Sequence, residues 1–221
     1  MGRDSALTQE FEEKIPLVQV KSQGFAKRLL DRGVAVILLI VLSPLFVVIA
    51  LWVRLDSPGP ALFRQTRVGL GGELFTVYKF RTMVQNADEL IKARLNRVED
   101  LESFVFQDKT DPRITRSGHF LRKTSLDELP QLFNILWGQM SLVGPRPEVP
   151  EIARRYSPEQ RLRLSVLPGV TGLAQVNGRS ELTLGETIAY DLEYVRNYSF
   201  WLDLRILLQT VVVVLTGKGA Y

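Results

Sequence analysis

There is no cysteine in this chain of 221 residues, and its only histidine is His119. Disulfides are thereby excluded, as are zinc sites built on thiolate or imidazole and nucleophilic catalysis by Cys or by a Ser–His pair. Any resident metal has to be held by oxygen, which points to a hard ion such as magnesium. His119 itself reads as a solvated loop residue. The charge imbalance is small, a net +4, which suits phosphate ligands or anionic lipid without proving either. Residues 1–24 are polar and mixed in charge, contain no signal-peptide apolar region, and read as an arm. The chain also lacks internal repeats and low-complexity tracts. No nucleic-acid partner is expected, and the absence of cysteine fits a cytoplasmic setting.

What the chain does have is one long apolar run. Residues 34–53, VAVILLIVLSPLFVVIALWV, are uncharged over twenty positions, enough for a straight helix to cross a bilayer core. Ser43-Pro44 interrupts its centre: Pro44 removes a backbone donor, and the Ser43 hydroxyl can satisfy the carbonyl left free. Lys27, Arg28 and Arg32 precede the run, and Arg54, Arg64 and Arg67 follow it. Cations on both sides favour both ends on the cytoplasmic face, so two half-helices of about ten residues that enter and leave one leaflet are expected over a single span. The mixed apolar and basic residues 25–32 suit a segment lying along the interface.

Beyond the turn Ser57-Pro58-Gly59-Pro60, the runs 61–68 and 73–82 flank Gly69-Leu70-Gly71-Gly72 and predict a β-hairpin. The third glycine of a dinucleotide fingerprint is missing, because position 74 is leucine. Period-2 spacing puts Phe75, Val77, Lys79 and Arg81 on one face, with the two cations forming either a solvated strand end or a phosphate clamp. Residues 86–102 read as an amphipathic helix, and Asp111-Pro112-Arg113 as a turn. Cations then gather at Arg113, Arg116, Arg122 and Lys123, directly before the adjacent carboxylates Asp127 and Glu128.

The pair opens TSLDELPQLFNILWGQMSLVGPRPE, in which Leu129, Leu132, Phe133, Leu136 and Trp137 follow helical spacing and predict one buried face. A capping box from Ser125 to Glu128 would strand Pro130 inside the helix, so a start with Asp127 as N-cap is preferred. That register places both acids at the positive end of a helix dipole, which keeps them ionised. Taken alone, such a pair is more often a helix cap than chemistry. Beside a cationic wall it suits a phosphorylated substrate with a metal ion. After the elbow Pro145-Arg146-Pro147-Glu148 a charged helix is expected over 149–164, loops over 167–179, a helix over 182–198, and over 200–215 an apolar helix whose uncharged part is too short to span. The chain thus reads as α+β, mainly helical: an arm (1–24), a membrane unit (25–56), a catalytic region (57–199) and a C-terminal interfacial helix (200–221).

Several blocks, in order, resemble the bacterial sugar transferases of the polyprenyl-phosphate type, the small monotopic phosphoglycosyl transferases. They are KRLLD with the Ser-Pro-broken run, VYKFRTM, DPRITRSGHFLRKTSLDELPQLFNILWGQMSLVGPRPE, PGVTGLAQVNGR and DLEYVRNYSFWLDLRILLQTVVVVL. Many members carry additional N-terminal transmembrane helices, and the resemblance here is to the catalytic unit alone. It implies transfer of a sugar-1-phosphate from a nucleotide sugar, usually a UDP-sugar, to a polyprenyl phosphate at the cytoplasmic face of the bacterial inner membrane, in the initiating step of glycoconjugate, lipopolysaccharide or exopolysaccharide synthesis. It also implies a re-entrant membrane helix, Mg2+ dependence, and a covalent phosphosugar on Asp127, with Glu128 holding magnesium or positioning the acceptor. Lys79, Arg81, Arg122 and Arg146 become candidates for phosphate and nucleotide contacts. Gln175, Asn177 and Arg179 are candidates for the sugar or base side, and Asp191 is a more distant one. A membrane-bound nucleotide-sugar pyrophosphatase and a non-catalytic scaffold in polysaccharide assembly are the competing readings, and a homodimer is left open.

Overall fold

The computed structural model describes residues 24–84 and 113–216. The expected arm except Gly24, the helix over 86–102 and the first two residues of the Asp111-Pro112-Arg113 turn lie outside the described residues. Helix α1, Phe25–Val41, is followed after one residue by α2, Ser43–Asp56, and the two are bent by 65°. The bend has the expected cause. Pro44 cannot donate to the Ile40 carbonyl, and Ser43 Oγ donates to it instead at 2.8 Å. The arms, at 17 and 14 residues, are longer than the expected ten.

Residues 25–32 do not form a separate segment but continue straight into α1. Lys27 and Asp31 explain this, because they turn inward while Arg28 and Arg32 stay exposed. Lys27 pairs with Asp203 at 2.7 Å, Ser141 donates to Asp31 at 2.7 Å, and Tyr194 donates to Asp203 at 2.7 Å. Among the described residues no single helix is long and apolar enough to cross a membrane, whereas the bent pair could by length and composition.

Strands β1, Leu62–Val68, and β2, Leu74–Phe80, pair antiparallel with Leu62 opposite Phe80 and Val68 opposite Leu74. The tight turn between them needs Gly71 at φ 66°. The predicted hairpin is therefore present. The next helix, α3, spans Arg116–Thr124; it is capped by the Thr115 hydroxyl and carries His119 exposed on a helix rather than a loop. A 3-10 turn over Leu126–Glu128 leads into the short helix α4, Gln131–Leu136.

A second sheet, absent from the sequence reading, joins β3, Ser141–Val143, and β4, Gly169–Thr171, in parallel. The approach is so close that a Cβ on Gly169 would lie 2.1 Å from Gly144 N, so glycine is required there. The helix expected over 149–164 is broken. Helix α5 covers only Pro150–Ala153, and a 3-10 turn spans Gln160–Ser165. Pro158 withholds a backbone donor, and Ser157 and Gln160 bond reciprocally, side chain to backbone, to start the second piece. The loop expected over 174–179 is instead mostly the five-residue helix α6, Leu173–Asn177, followed by a 3-10 turn, Arg179–Glu181. Helix α7, Leu184–Asn197, begins with a Thr183–Glu186 capping box, and α8 spans Phe200–Thr216.

The result is a mixed helix and sheet fold, mostly helical. Ala35 of α1 packs with Phe75, Val77, Leu132, Ile135 and Met140, while Ile49 and Val53 of α2 pack with Phe80 and Leu121. The opposite faces of these helices, and one face of α8, are bare. Phe25 is 82% exposed, Leu55 87%, Trp201 75% and Leu215 81%. Bare apolar area on this scale marks a surface that meets lipid or another protein.

Candidate active site

The acidic pair sits on neither of the helix starts weighed for it. Ser125 is left-handed at φ 57°, Asp127 and Glu128 lie in the 3-10 turn, and regular helix begins only at Gln131, with no side-chain cap from either acid. A six-residue helix has little dipole to offer. Its buried face also differs from the expected stripe: Gln131, Leu132, Asn134 and Ile135 point inward, whereas Phe133 and Trp137 are exposed. The two outward rings join Phe46 and Tyr78 in an edge-packed aromatic group on the apolar outer surface.

Asn134 explains the inversion. Among the described residues strand β2 pairs with β1 on one side only, and the Asn134 amide serves its other edge like a piece of backbone. Tyr78 N–H donates to Asn134 Oδ1 at 3.3 Å, and Asn134 Nδ2 donates to the Thr76 carbonyl at 2.7 Å and to Gln139 Oε1 at 2.8 Å. This fixes α4 against β2, so that Lys79, one residue past Tyr78, meets the acidic turn. Lys79 Nζ donates to Glu128 Oε1 at 3.1 Å, and Arg146 Nη2 reaches the same oxygen at 2.7 Å.

Both hydrogen bonds to the pair thus fall on Glu128, and the two acids differ in character. Burial works against ionisation of Glu128, but the Arg146 and Lys79 cations overcome it and hold its carboxyl well below the usual range. Asp127 is 9% exposed. Burial first, and the adjacent Glu128 charge second, push its carboxyl up to about 6, with Lys79, Arg146 and Arg122 acting the other way. The expected placement of Asp127 at the positive end of a helix dipole is corrected: it lies in the 3-10 turn, and burial with the Glu128 charge raises its carboxyl.

The remaining candidates divide. Arg122, on α3, faces Asp127 electrostatically, whereas Arg116 and Lys123 of the cationic cluster are exposed. Arg81 does not join Lys79 at the acids. Its guanidinium donates to the carbonyls of Pro58 and Ser57, both at 2.6 Å, and to Ser57 Oγ at 2.9 Å, pinning the end of α2 to the hairpin. Arg179 bonds Ser125 Oγ at 2.5 Å. Gln175 lines the same cavity with its Oε1 buried and unpartnered, while Asn177 is exposed and donates back to the Leu173 carbonyl of its own helix at 2.8 Å. Asp191 is away from the cavity lining and fully buried against Arg163.

Arg163 is the residue that the sequence did not disclose. It is 2% exposed in a segment whose mixed charge suggests a solvated helix. Nη2 donates to Asp191 and to the Arg146 carbonyl at 3.0 Å, and Nη1 donates to the Tyr156 hydroxyl with Glu148 Oε2 3.8 Å away. Glu148 Oε1 in turn receives the Val149 N–H at 2.9 Å and Arg67 at 3.4 Å. Burial opposes the Arg163 charge, but Tyr156, Asp191 and Glu148 outweigh it and hold the guanidinium ionised. The Pro145-Arg146-Pro147-Glu148 elbow is therefore braced from behind, which aims Arg146 at Glu128.

These groups open on a cavity of about 1940 Å3. One part of its wall is charged, with Lys79, Asp127, Glu128, Arg146 and Arg179; another is apolar, with Leu38, Ala50, Leu142, Val170 and Leu207. Among the described residues Asp127 has no bonded cation, Glu128 beside it holds two, and neither acid caps a helix.

Residues 22–217 match the family model described as bacterial sugar transferase. Relatives include an undecaprenyl-phosphate galactose phosphotransferase of Salmonella typhimurium, 45% identical over 91% of this chain and 43% of the relative. A UDP-glucose:undecaprenyl-phosphate glucose-1-phosphate transferase of Xanthomonas campestris is 44% identical over 94% of this chain and 44% of its own length. A protein of the same description from Caulobacter vibrioides is 44% identical over 88% of this chain and 72% of its own. The chain spans less than half the length of the first two. With nearly all of it matched by the family model, the chain belongs to the bacterial sugar transferase family.

Proposed function

We propose that this chain transfers a sugar-1-phosphate from a UDP-sugar to a polyprenyl phosphate at the cytoplasmic surface of a bacterial inner membrane, releasing UMP. The observation that carries the reading is the asymmetry of the acidic pair: Glu128 anchors Lys79 and Arg146, and Asp127 faces the cavity with no bonded cation among the described residues. An Asp127 oxygen attacks the phosphorus bearing the sugar, and the bond to the UMP oxygen breaks with its electrons leaving on UMP. A phosphate oxygen of the acceptor then attacks the same phosphorus and restores the carboxylate. Lys79, Arg146 and Arg122 offset the charge of the diphosphate. Gln175 supplies an acceptor for a hydroxyl or N–H of the donor.

Among the described residues no group of three or more carboxylate or imidazole ligands could form a protein cage for a metal. Magnesium fits the site in its usual mode with nucleotides, through one or two carboxylates plus substrate phosphate oxygens. Asp127 is the open ligand, since Glu128 Oε1 is already shared by two cations. Bound there, the ion would neutralise charge on the diphosphate.

The assay is UMP release by the purified chain in detergent with Mg2+, across a panel of UDP-sugars, with and without polyprenyl phosphate. Steady release is expected only with acceptor present. Release at the same rate without it would mean water is the acceptor, and the chain a pyrophosphatase.

The bare faces of α1, α2 and α8 support a monotopic seat in one leaflet, with the Ser43-Pro44 bend at the deepest point. Gly24 and Pro60 flank the bent pair and are exposed. Gly24→Cys and Pro60→Cys in this cysteine-free chain should both resist a membrane-impermeant thiol reagent applied outside intact cells. Labelling of one alone would mean that the pair spans.

A further inference from the structure

Only two non-glycine residues among those described adopt a left-handed backbone, Ser125 at φ 57° and Arg179 at φ 51°. They are 54 positions apart, yet they hold each other: Arg179 Nη2 donates to Ser125 Oγ at 2.5 Å. Such backbones persist where the surroundings over-determine them, and they gather at functional sites. Ser125 ends α3 and opens the turn that carries Asp127. The bond therefore ties a guanidinium to the turn of the proposed nucleophile.

One arm of that guanidinium is used for the tie. The other, Nη1, is buried and has no hydrogen-bond partner among the described residues. Arg179 lines the same cavity as Asp127 and feels the charges of both Asp127 and Glu128. A buried charged N–H without an acceptor is unfavourable unless a ligand supplies one. Lys79 and Arg146 already share Glu128 Oε1, so Arg179 offers an uncommitted donor beside the pair.

We propose that Arg179 is a further catalytic residue, whose Nη1 donates to a non-bridging oxygen of the phosphoryl group as that group passes onto and off Asp127. The inference rests on the covalent transfer proposed above. In the first step the Asp127 oxygen–phosphorus bond forms while the bond to the nucleoside monophosphate breaks. In the second the acceptor oxygen–phosphorus bond forms while the aspartyl bond breaks. No proton moves from Arg179 in either. Its contribution is to charge on the equatorial oxygens, which is greatest in flight. The Ser125 tether keeps the donor in register with Asp127, and the left-handed backbone at both ends sets that geometry.

The test is Arg179→Gly, because glycine removes the guanidinium and relieves the left-handed backbone at once. Single-turnover formation of labelled protein from UDP-sugar carrying a radiolabelled sugar, without acceptor, should slow by about 100-fold, the scale of losing one such donor. The donor concentration at half-maximal rate should change less than about threefold if the contact is made in flight. The melting temperature should be unchanged or higher. Added guanidinium ion should restore part of the rate to Arg179→Gly and none to Asp127→Asn. Arg179→Lys should stay slow, since one ammonium cannot both hold Ser125 and reach the phosphoryl group. A wild-type labelling rate in Arg179→Gly would overturn the inference, as would a loss confined to donor affinity or a loss that guanidinium does not rescue. Failure of the wild-type protein itself to become labelled would instead overturn the covalent transfer.

Discussion

Asp127→Asn is expected to lower sugar-phosphate transfer by about 10⁴-fold or more, the range in which removal of a catalytic nucleophile falls, and to abolish radiolabelling of the protein. Asparagine matches aspartate in size and in its ability to cap a helix. A capping or scaffold role would therefore survive the change, and near-normal turnover in this variant would sink the nucleophile. Glu128→Gln separates the second acid from the first. It leaves Lys79 and Arg146 in place but removes the charge they share, so their hold on each other's position loosens. Its loss should be smaller, and labelling should persist at a reduced rate.

The same asymmetry sets a pH profile. The proposed attack requires Asp127 as carboxylate, and burial, with Glu128 beside it, pushes that group up to about 6. A raised carboxyl is protonated as pH falls through its own value, so kcat/KM, which reports the free protein, should drop tenfold per unit below about 6. Glu128, held well below the usual range by Arg146 and Lys79, stays ionised throughout and adds no second limb there. A flat profile down to pH 5 would mean that Asp127 is not the group that must lose its proton.

The bent helix pair is legible in the sequence because its signals are local. Twenty uncharged residues and a serine–proline step announce a broken helix, and Ser43 bonds the very carbonyl that Pro44 frees. The hairpin is likewise announced by glycines between two alternating runs. Asp127, Glu128, Lys79 and Arg146 stand out as charged residues in unusual company, and the fold gathers them. What stays hidden depends on partners distant in sequence. Asn134 looks like a polar interruption of an apolar helix until β2 is seen to have an unserved edge. Three-residue strands such as Ser141–Val143 carry no periodicity to read. Arg81 and Arg179 are alike as sequence cations, yet one is spent on the carbonyls ending α2 and the other stands beside the acids. Arg163 is the extreme case, surrounded in sequence by arginines, leucines and glutamine and buried in space by four charged or polar partners.

That burial makes Arg163→Met the variant expected to damage the fold most. Methionine fills much of the same volume but leaves Asp191 without its cation, Glu148 with Arg67 alone, and the Tyr156 hydroxyl and Arg146 carbonyl without their donor. Breaking one side of a buried ion pair costs about 3–5 kcal/mol, and at roughly 2–4 °C per kcal/mol for a chain of this size the thermal midpoint should fall by on the order of 10 °C. The elbow should suffer as well, because Arg163 holds the backbone of Arg146. Replacing both partners distinguishes the two effects. Arg163→Met with Asp191→Leu removes the stranded carboxylate, so much of the lost stability should return, as it does when a buried pair becomes apolar on both sides. Transfer activity should not return with it, since nothing in the double variant re-anchors the Arg146 carbonyl or aims its guanidinium at Glu128. Recovery of both together would show that Arg163 serves stability alone. Recovery of neither would place the main burden on Glu148 and Tyr156, both of which lose Arg163 in the double variant.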